Sequence, residues 1–337
     1  MPPVTPLYHH RPSDLHSEIS FILLFDHKMD LKNQIFGDNF FIFPLFLHSE
    51  ENFLITTGFV LIYVFGLVWN GAIVMVFIVY SQLHIPMYLF LCNLSLVDMS
   101  YTTVTVPKLL DILLSGDNVM SFLQCLSQMF FFALMISAEV AMLTIMAYDR
   151  YIAICIPLHY QYIMSRRKCI WILVLAWGSA ALNSIFLTCF AITTTWCHSK
   201  DIQHFYCDVK ALAKISCPGL AFHVVIFLDT LLLGFLPFTI SLMSYIKILK
   251  VILSIVSTEG RRKAFSTCSS HLTVLLFFYG TGVCVYIRPP TQNKEEPEQV
   301  FSVLYTIVTP ALNPLIYSLR NKEVKEALIN LLRMKSK

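Results

Sequence analysis

Met142-Leu-Thr-Ile-Met-Ala-Tyr-Asp-Arg-Tyr-Ile-Ala-Ile-Cys-Ile-Pro-Leu-His-Tyr160 is an apolar run that carries an Asp149-Arg150-Tyr151 triplet. It reads as the inner end of a membrane helix. The 25 residues from Cys125 to Arg150 rise about 37 Å at roughly 1.5 Å each, enough to cross a hydrocarbon core of about 30 Å with some tilt. Cys125 therefore lies near one membrane face and Arg150 near the other. A guanidinium at that depth must be paired or reach water, and Asp149 is a partner it can release. The triplet is either a latch of this kind or a snorkelling anchor at the boundary.

Working outward, the 337-residue chain is 56% apolar and only 13% charged, too few charges and too many long apolar runs for a soluble domain. Seven candidate spans run from about Phe53 to Tyr80, Pro86 to Leu113, Phe122 to Ile156, Cys169 to Ile192, Leu220 to Leu249, Phe265 to Ile287 and Gln299 to Leu319. Their unbroken apolar character fits helices and lacks the alternation of a membrane barrel. The fold class is an all-α membrane protein, a seven-helix bundle, in three parts: an N-terminal segment over 1–52, the bundle over 53–320 and a tail over 321–337. In the tail, Lys and Glu alternate with Val324, Leu328, Ile329, Leu331 and Leu332, as in a short amphipathic helix lying on the bilayer.

Arg166, Arg167, Lys168, Arg261, Arg262, Lys263, Lys322 and Lys325 all fall on one side, which the positive-inside rule makes cytoplasmic. The N-terminus and the Cys197–Cys217 loop are then outside. The N-terminal segment has no basic n-region, so the first span acts as the insertion signal. The net charge of +3, with no basic, aromatic-interleaved face, excludes a nucleic-acid partner.

Cys125, Cys197, Cys207 and Cys217 face an oxidising compartment and allow three pairings, with free thiols as the other reading. None of the ten cysteines sits at metal spacing, and no cofactor is implied. Polar groups at membrane depth mark function. Asp98 and Glu139 each lie about 16–18 Å from the cytoplasmic end, with Asn70 and Asn313 at similar depth. The two acids either share a proton or a cation such as Na⁺, or hold helices together separately. Asn313-Pro314 and Tyr317 form a breakable segment in the last span; with Tyr245 they supply a second state for Arg150, or Pro314 only bends its helix. Nearer the outside, Ser137, Asp229, Tyr279, Tyr286 and Thr306 sit among Met129, Phe132, Ile136, Ile226, Leu233 and Val303, an apolar cavity with polar hooks. Asp229 either hooks a ligand hydroxyl or amine, or bonds a neighbouring helix.

Leu83-His-Ile-Pro-Met-Tyr-Leu-Phe-Leu-Cys-Asn-Leu-Ser95, Met146-Ala-Tyr-Asp-Arg-Tyr-Ile-Ala-Ile-Cys155, Ser244-Tyr245, Lys263-Ala-Phe-Ser-Thr-Cys-Ser-Ser-His-Leu272 and Pro310-Ala-Leu-Asn-Pro-Leu-Ile-Tyr-Ser-Leu-Arg-Asn321 together resemble the signature set of vertebrate olfactory receptors, tetrapod-type branch, within the rhodopsin-like G-protein-coupled receptors. The resemblance implies an odorant pocket among the third, fifth and sixth helices, coupling to a stimulatory Gα subunit that raises cyclic AMP, and a plasma-membrane location in sensory cilia. It implies pairing of Cys125 with Cys207, which leaves Cys197 with Cys217. It favours the latch reading of Arg150 and places a shared cation site at Asp98 and Glu139. Departures lie at the front: the N-terminal segment is long and has no Asn-x-Ser/Thr site, Met29 is an alternative start, and Trp69 and Ile85 stand where the family has glycine and threonine. A receptor for a non-odorant ligand is the alternative. A retinal-linked pump is disfavoured because Gln299–Leu319 has no lysine, and a transporter because the spans show no internal repeat. An enzyme is disfavoured because no nucleophile–base set appears.

Overall fold

The computed structural model describes residues 39–44, 52–196, 200–217, 220–286, 295–320 and 322–334. Among the described residues, seven helices are long and apolar enough to cross a membrane. They are α1 (Asn52–Val79), α2 (Pro86–Ser115), α3 (Phe122–Cys155), α4 (Arg166–Thr193), α5 (Leu220–Asp229 continued by Leu236–Ser254), α6 (Thr258–Tyr286) and α7 (Glu295–Val303 continued by Thr309–Arg320). α8 (Lys322–Met334) follows. Helix α5 overruns its span read from sequence at its C-terminal end and α6 at its N-terminal end, because polar residues such as Lys250, Arg261 and Arg262 continue a helix into water at no desolvation cost.

Local chemistry sets the ends. Pro86 occupies the first turn of α2, where its missing N–H is not needed, and Gly116 ends that helix at φ 74°, donating its N–H to Ile112 O. Five residues later Ser121 and Gln124 form a reciprocal capping box that starts α3. Thr230–Phe235 and Leu304–Val308 are π-helical turns inside α5 and α7, and Pro314 lies inside the last segment of α7.

α3 is the central post, packed against α2, α4 and α5. Its inward face buries Leu126, Met129, Phe132, Met142, Leu143 and Met146. Leu61 and Val68 on α1, Leu175 and Leu182 on α4, and Leu232 and Phe235 on α5 are exposed, as an acyl-chain-facing surface requires. α8 turns Val324 and Ala327 into the bundle, against α1 and α7, and Glu323 accepts a 2.7 Å bond from the Tyr88 hydroxyl of α2.

At the end of the bundle that holds the starts of α3 and α5, three short strands form a sheet in the order β2-β1-β3: β1 (Asn39–Ile42), β2 (Val119–Ser121) and β3 (Asp201–Ile202). β1 runs antiparallel to β2, pairing Phe40 with Met120, and parallel to β3, pairing Phe41 with Asp201. Phe40 and Ile42 are buried beneath it, with Phe40 against Phe122 and Trp196. β1, in the segment before α1, thus covers one end of the bundle.

Candidate functional site

Three layers of α3 carry the predicted residues. At the inner mouth, Arg150 donates to Asp149 Oδ2 from Nε at 3.0 Å and from Nη2 at 2.5 Å. Asp149 Oδ1 accepts a third bond, 2.8 Å, from Tyr160 in the following loop. Burial, reinforced by the Asp149 carboxylate, holds the Tyr160 phenol above its usual pKa, so it remains a donor. The Asp149 side chain is 0% exposed and that of Arg150 11%, so the pair is nearly withdrawn from water. Tyr151 lies outside this triad, its ring 5.3 Å beneath Lys247 Nζ of α5.

Tyr245 and Tyr317 are both buried beside this layer. The Tyr245 hydroxyl is hydrogen-bonded at 2.7 Å to His271 Nδ1, which ties α5 to α6. No bond joins Tyr245 to Tyr317, whose hydroxyl has no hydrogen-bond partner among the described residues.

At mid-depth, Asn313 Nδ2 donates to both oxygens of Asp98, at 3.3 and 3.1 Å, beside Pro314. Glu139 interacts with Asp98 electrostatically, which brings the two acids of α2 and α3 into one site. Asn70 does not bond Asp98; it donates instead to Gly66 O at 3.0 Å and to Pro310 O at 3.1 Å, fastening α1 to α7. Glu139 Oε1, Asn70 Oδ1 and Asn313 Oδ1 are buried acceptors with no hydrogen-bond partner among the described residues. Such orphaned oxygens suit a small cation such as Na⁺.

At the outer level, the predicted lining divides in two. Met129 and Ile226 belong to an apolar cluster beneath the three-stranded sheet, whereas Phe132, Ile136, Tyr279 and Val303 belong to the main bundle core. Asn183 of α4 reaches both hooks, donating to Ser137 Oγ at 3.3 Å and interacting with the Asp229 carboxyl. Asp229 and Leu233 are half-buried at the π turn of α5. The Thr306 hydroxyl bonds Ser302 O within α7 at 2.8 Å. Tyr286 ends α6.

The loop before α5 dips into the mouth. Phe205 and Tyr206 are fully buried, and Tyr206 packs 4.7 Å from Phe132, which stacks on Tyr101. A disulfide joins Cys207 to Cys125, with Cα atoms 5.4 Å apart. Gln128 clamps the same point, accepting from Cys207 N at 2.7 Å and donating to Val104 O at 2.9 Å. Cys217 is also disulfide-bonded, and Cys197 lies outside the described residues. Cys92, Cys155, Cys169, Cys189, Cys268 and Cys284 are free thiols.

The olfactory receptor family model matches residues 59–335. Olfactory receptor 1G1 of Gorilla gorilla gorilla is 41% identical over 305 residues, covering 90% of this chain and 97% of the relative. Human olfactory receptor 10Q1 is 44% identical over 291 residues (86% and 91%), and rat olfactory receptor 1 is 40% identical over 301 residues (89% and 96%). The chain belongs to the olfactory receptor family. An olfactory receptor is a multi-pass G-protein-coupled receptor and not an enzyme, so the layers along α3 belong to a signalling bundle. Two residues of this olfactory receptor carry contacts that sequence reasoning missed. His271 sits inside the Lys263–Leu272 motif, whose periodicity gave no partner for it; Gln128 reads as an ordinary polar residue near a helix end.

Proposed function

We propose that this olfactory receptor binds small, mainly apolar odorants within the bundle and activates a stimulatory Gα subunit, raising cyclic AMP. The N-terminus lies outside and α8 on the inner leaflet of the plasma membrane of sensory cilia. The ligand sits among α3, α5 and α6 beneath the lid, contacting Met129, Phe132, Ile136, Ser137, Ile226, Asp229, Leu233, Tyr279, Tyr286, Val303 and Thr306. The observation that carries the reading is the withdrawn Asp149–Arg150 pair with Tyr245 and His271 beside it, because together they describe a closed inner mouth held by breakable polar contacts.

The mechanism is a population shift. Odorant favours an arrangement in which α6 swings at its cytoplasmic end, Tyr245 leaves His271, and Arg150 leaves Asp149. Asn313, Pro314 and Tyr317 give α7 the freedom to follow, and Tyr245 and Tyr317 converge on the released guanidinium. A Gα C-terminus then fills the groove. A cation or a shared proton at Asp98, Glu139, Asn313 and Asn70 favours the closed arrangement, and Cys125–Cys207 with Cys197–Cys217 fixes the lid. A receptor for a non-odorant ligand would keep the same switch.

A cyclic AMP screen of a chemically diverse odorant panel, on cells with confirmed surface expression, tests the reading. Small apolar volatiles should raise cyclic AMP, and Asp229→Asn should change their rank order. Responses through another G-protein pathway with cyclic AMP unmoved would overturn the stimulatory coupling.

A further inference from the structure

The loop before α5, with the ends of α6 and α7, lines a cavity of about 250 Å³ whose polar wall is Asp201, His204, Asp208, Lys210, Lys214 and Glu298. Its apolar wall includes Ile215 and Val285. Phe205 and Tyr206, which follow His204 directly, pack into the bundle core. We propose that this vestibule is a second binding site, for small primary ammonium compounds with a short apolar chain.

Three carboxylates face two ammonium groups, and both lysines are committed to Glu298, Lys210 at 2.8 Å to Oε1 and Lys214 at 3.1 Å to Oε2. Lys210 also donates to Val285 O. Among the described residues Asp208 keeps one side-chain bond, from Ala211 N at 2.6 Å, and Asp201 takes no ion pair. The uncompensated charge among the described lining residues is negative.

The second observation is His204. This residue is only 6% exposed and bonds Ser302 Oγ through Nε2 at 3.1 Å, while its Nδ1 has no hydrogen-bond partner among the described residues. Burial holds the imidazole neutral, with a pKa of about 3, so no positive charge on the ring repels a cation. In the tautomer that donates Nε2–H to Ser302 Oγ, Nδ1 presents a lone pair. An ammonium group supplies three donors, which match Asp201, Asp208 and His204 Nδ1. A carboxylate ligand would find its lysines already occupied. The volume, below the roughly 300–1,000 Å³ of drug-sized pockets, suits a short chain laid against Ile215 and Val285.

The test uses the full-length receptor in nanodiscs and reads ligand-dependent thermal stabilisation, so its outcome is independent of G-protein coupling. n-Butylammonium chloride should stabilise saturably against sodium chloride at equal ionic strength, and butyrate should not. Asp201→Asn should weaken the apparent Kd by about ten-fold, the scale of one hydrogen bond to a charged group. Lys214→Gln should tighten it, because it frees a Glu298 oxygen. Asp229→Asn, in the deep layer, should leave it unchanged. Variants are compared only where their ligand-free Tm matches the unmodified receptor, and either vestibule variant alone suffices. Butyrate binding as well as the amine, an unchanged Kd in Asp201→Asn or Lys214→Gln, or a loss confined to Asp229→Asn would overturn the proposal.

Discussion

Replacing Asp149 by Asn keeps the shape of the inner mouth and removes its charge. Asp149 accepts two bonds from Arg150 and one from Tyr160, with its own side chain fully buried. Bonds to a charged acceptor contribute about 1.5–3 kcal/mol each against about 1 kcal/mol for neutral ones. The closed arrangement therefore loses roughly 2 kcal/mol over the open one, in which Arg150 has already left. At about 1.4 kcal/mol per decade, that moves the closed-to-open ratio about 30-fold. A receptor that is open about 1% of the time would become open about 20–25% of the time. The assay is ligand-free cyclic AMP at matched surface expression. An unchanged basal level in Asp149→Asn would show that the pair is an anchor and holds nothing shut.

Other contacts give separate predictions. His271→Phe keeps a ring against α5 but removes the acceptor of Tyr245, a bond of about 1 kcal/mol; basal cyclic AMP should rise about five-fold. Tyr245→Phe should instead depress the maximal ligand response, because that hydroxyl also serves the open arrangement. If sodium favours the closed state, replacing external and internal sodium by choline should left-shift the odorant dose response, and Asp98→Asn should abolish that sensitivity; equal sodium sensitivity in Asp98→Asn would remove the acid from the site. In the lid, burial raises Asp208 to about 6 and lowers His204 to about 3. As pH falls from about 6 to 4, Asp208 protonation favours the folded lid while the unfolded loop gains a proton on His204, and the two slopes cancel. Asp208→Asn keeps the helix cap and leaves His204 uncompensated, so the lid should lose about 3 kcal/mol between pH 6.5 and 4. Hydrogen-exchange protection factors over 202–215 measure it, and protection in that variant independent of pH would contradict the assignment.

The spans were legible because a bilayer imposes length and apolarity on every crossing segment. Depth counting along α2 and α3 also brought Asp98 and Glu139 to one layer, since rise per residue is fixed. What it left out is rotation about each helix axis. Asn70 has the right depth, yet its amide turns to Pro310 O, and only the packed bundle decides that. His271 was hidden for the same reason. Which residues of the loop before α5 enter the core was unreadable, because Phe205 and Tyr206 do so from a stretch with no periodicity, and β1 pairs with partners that follow it by about 80 and 160 residues.

Ligand-evoked cyclic AMP from Arg150→Ala, at surface density equal to the unmodified receptor and with an odorant that activates the latter, tests the switch most directly. The guanidinium is what the Gα C-terminus meets once Asp149 lets go, so the variant should bind odorant and stay silent. A full response from Arg150→Ala would contradict the account.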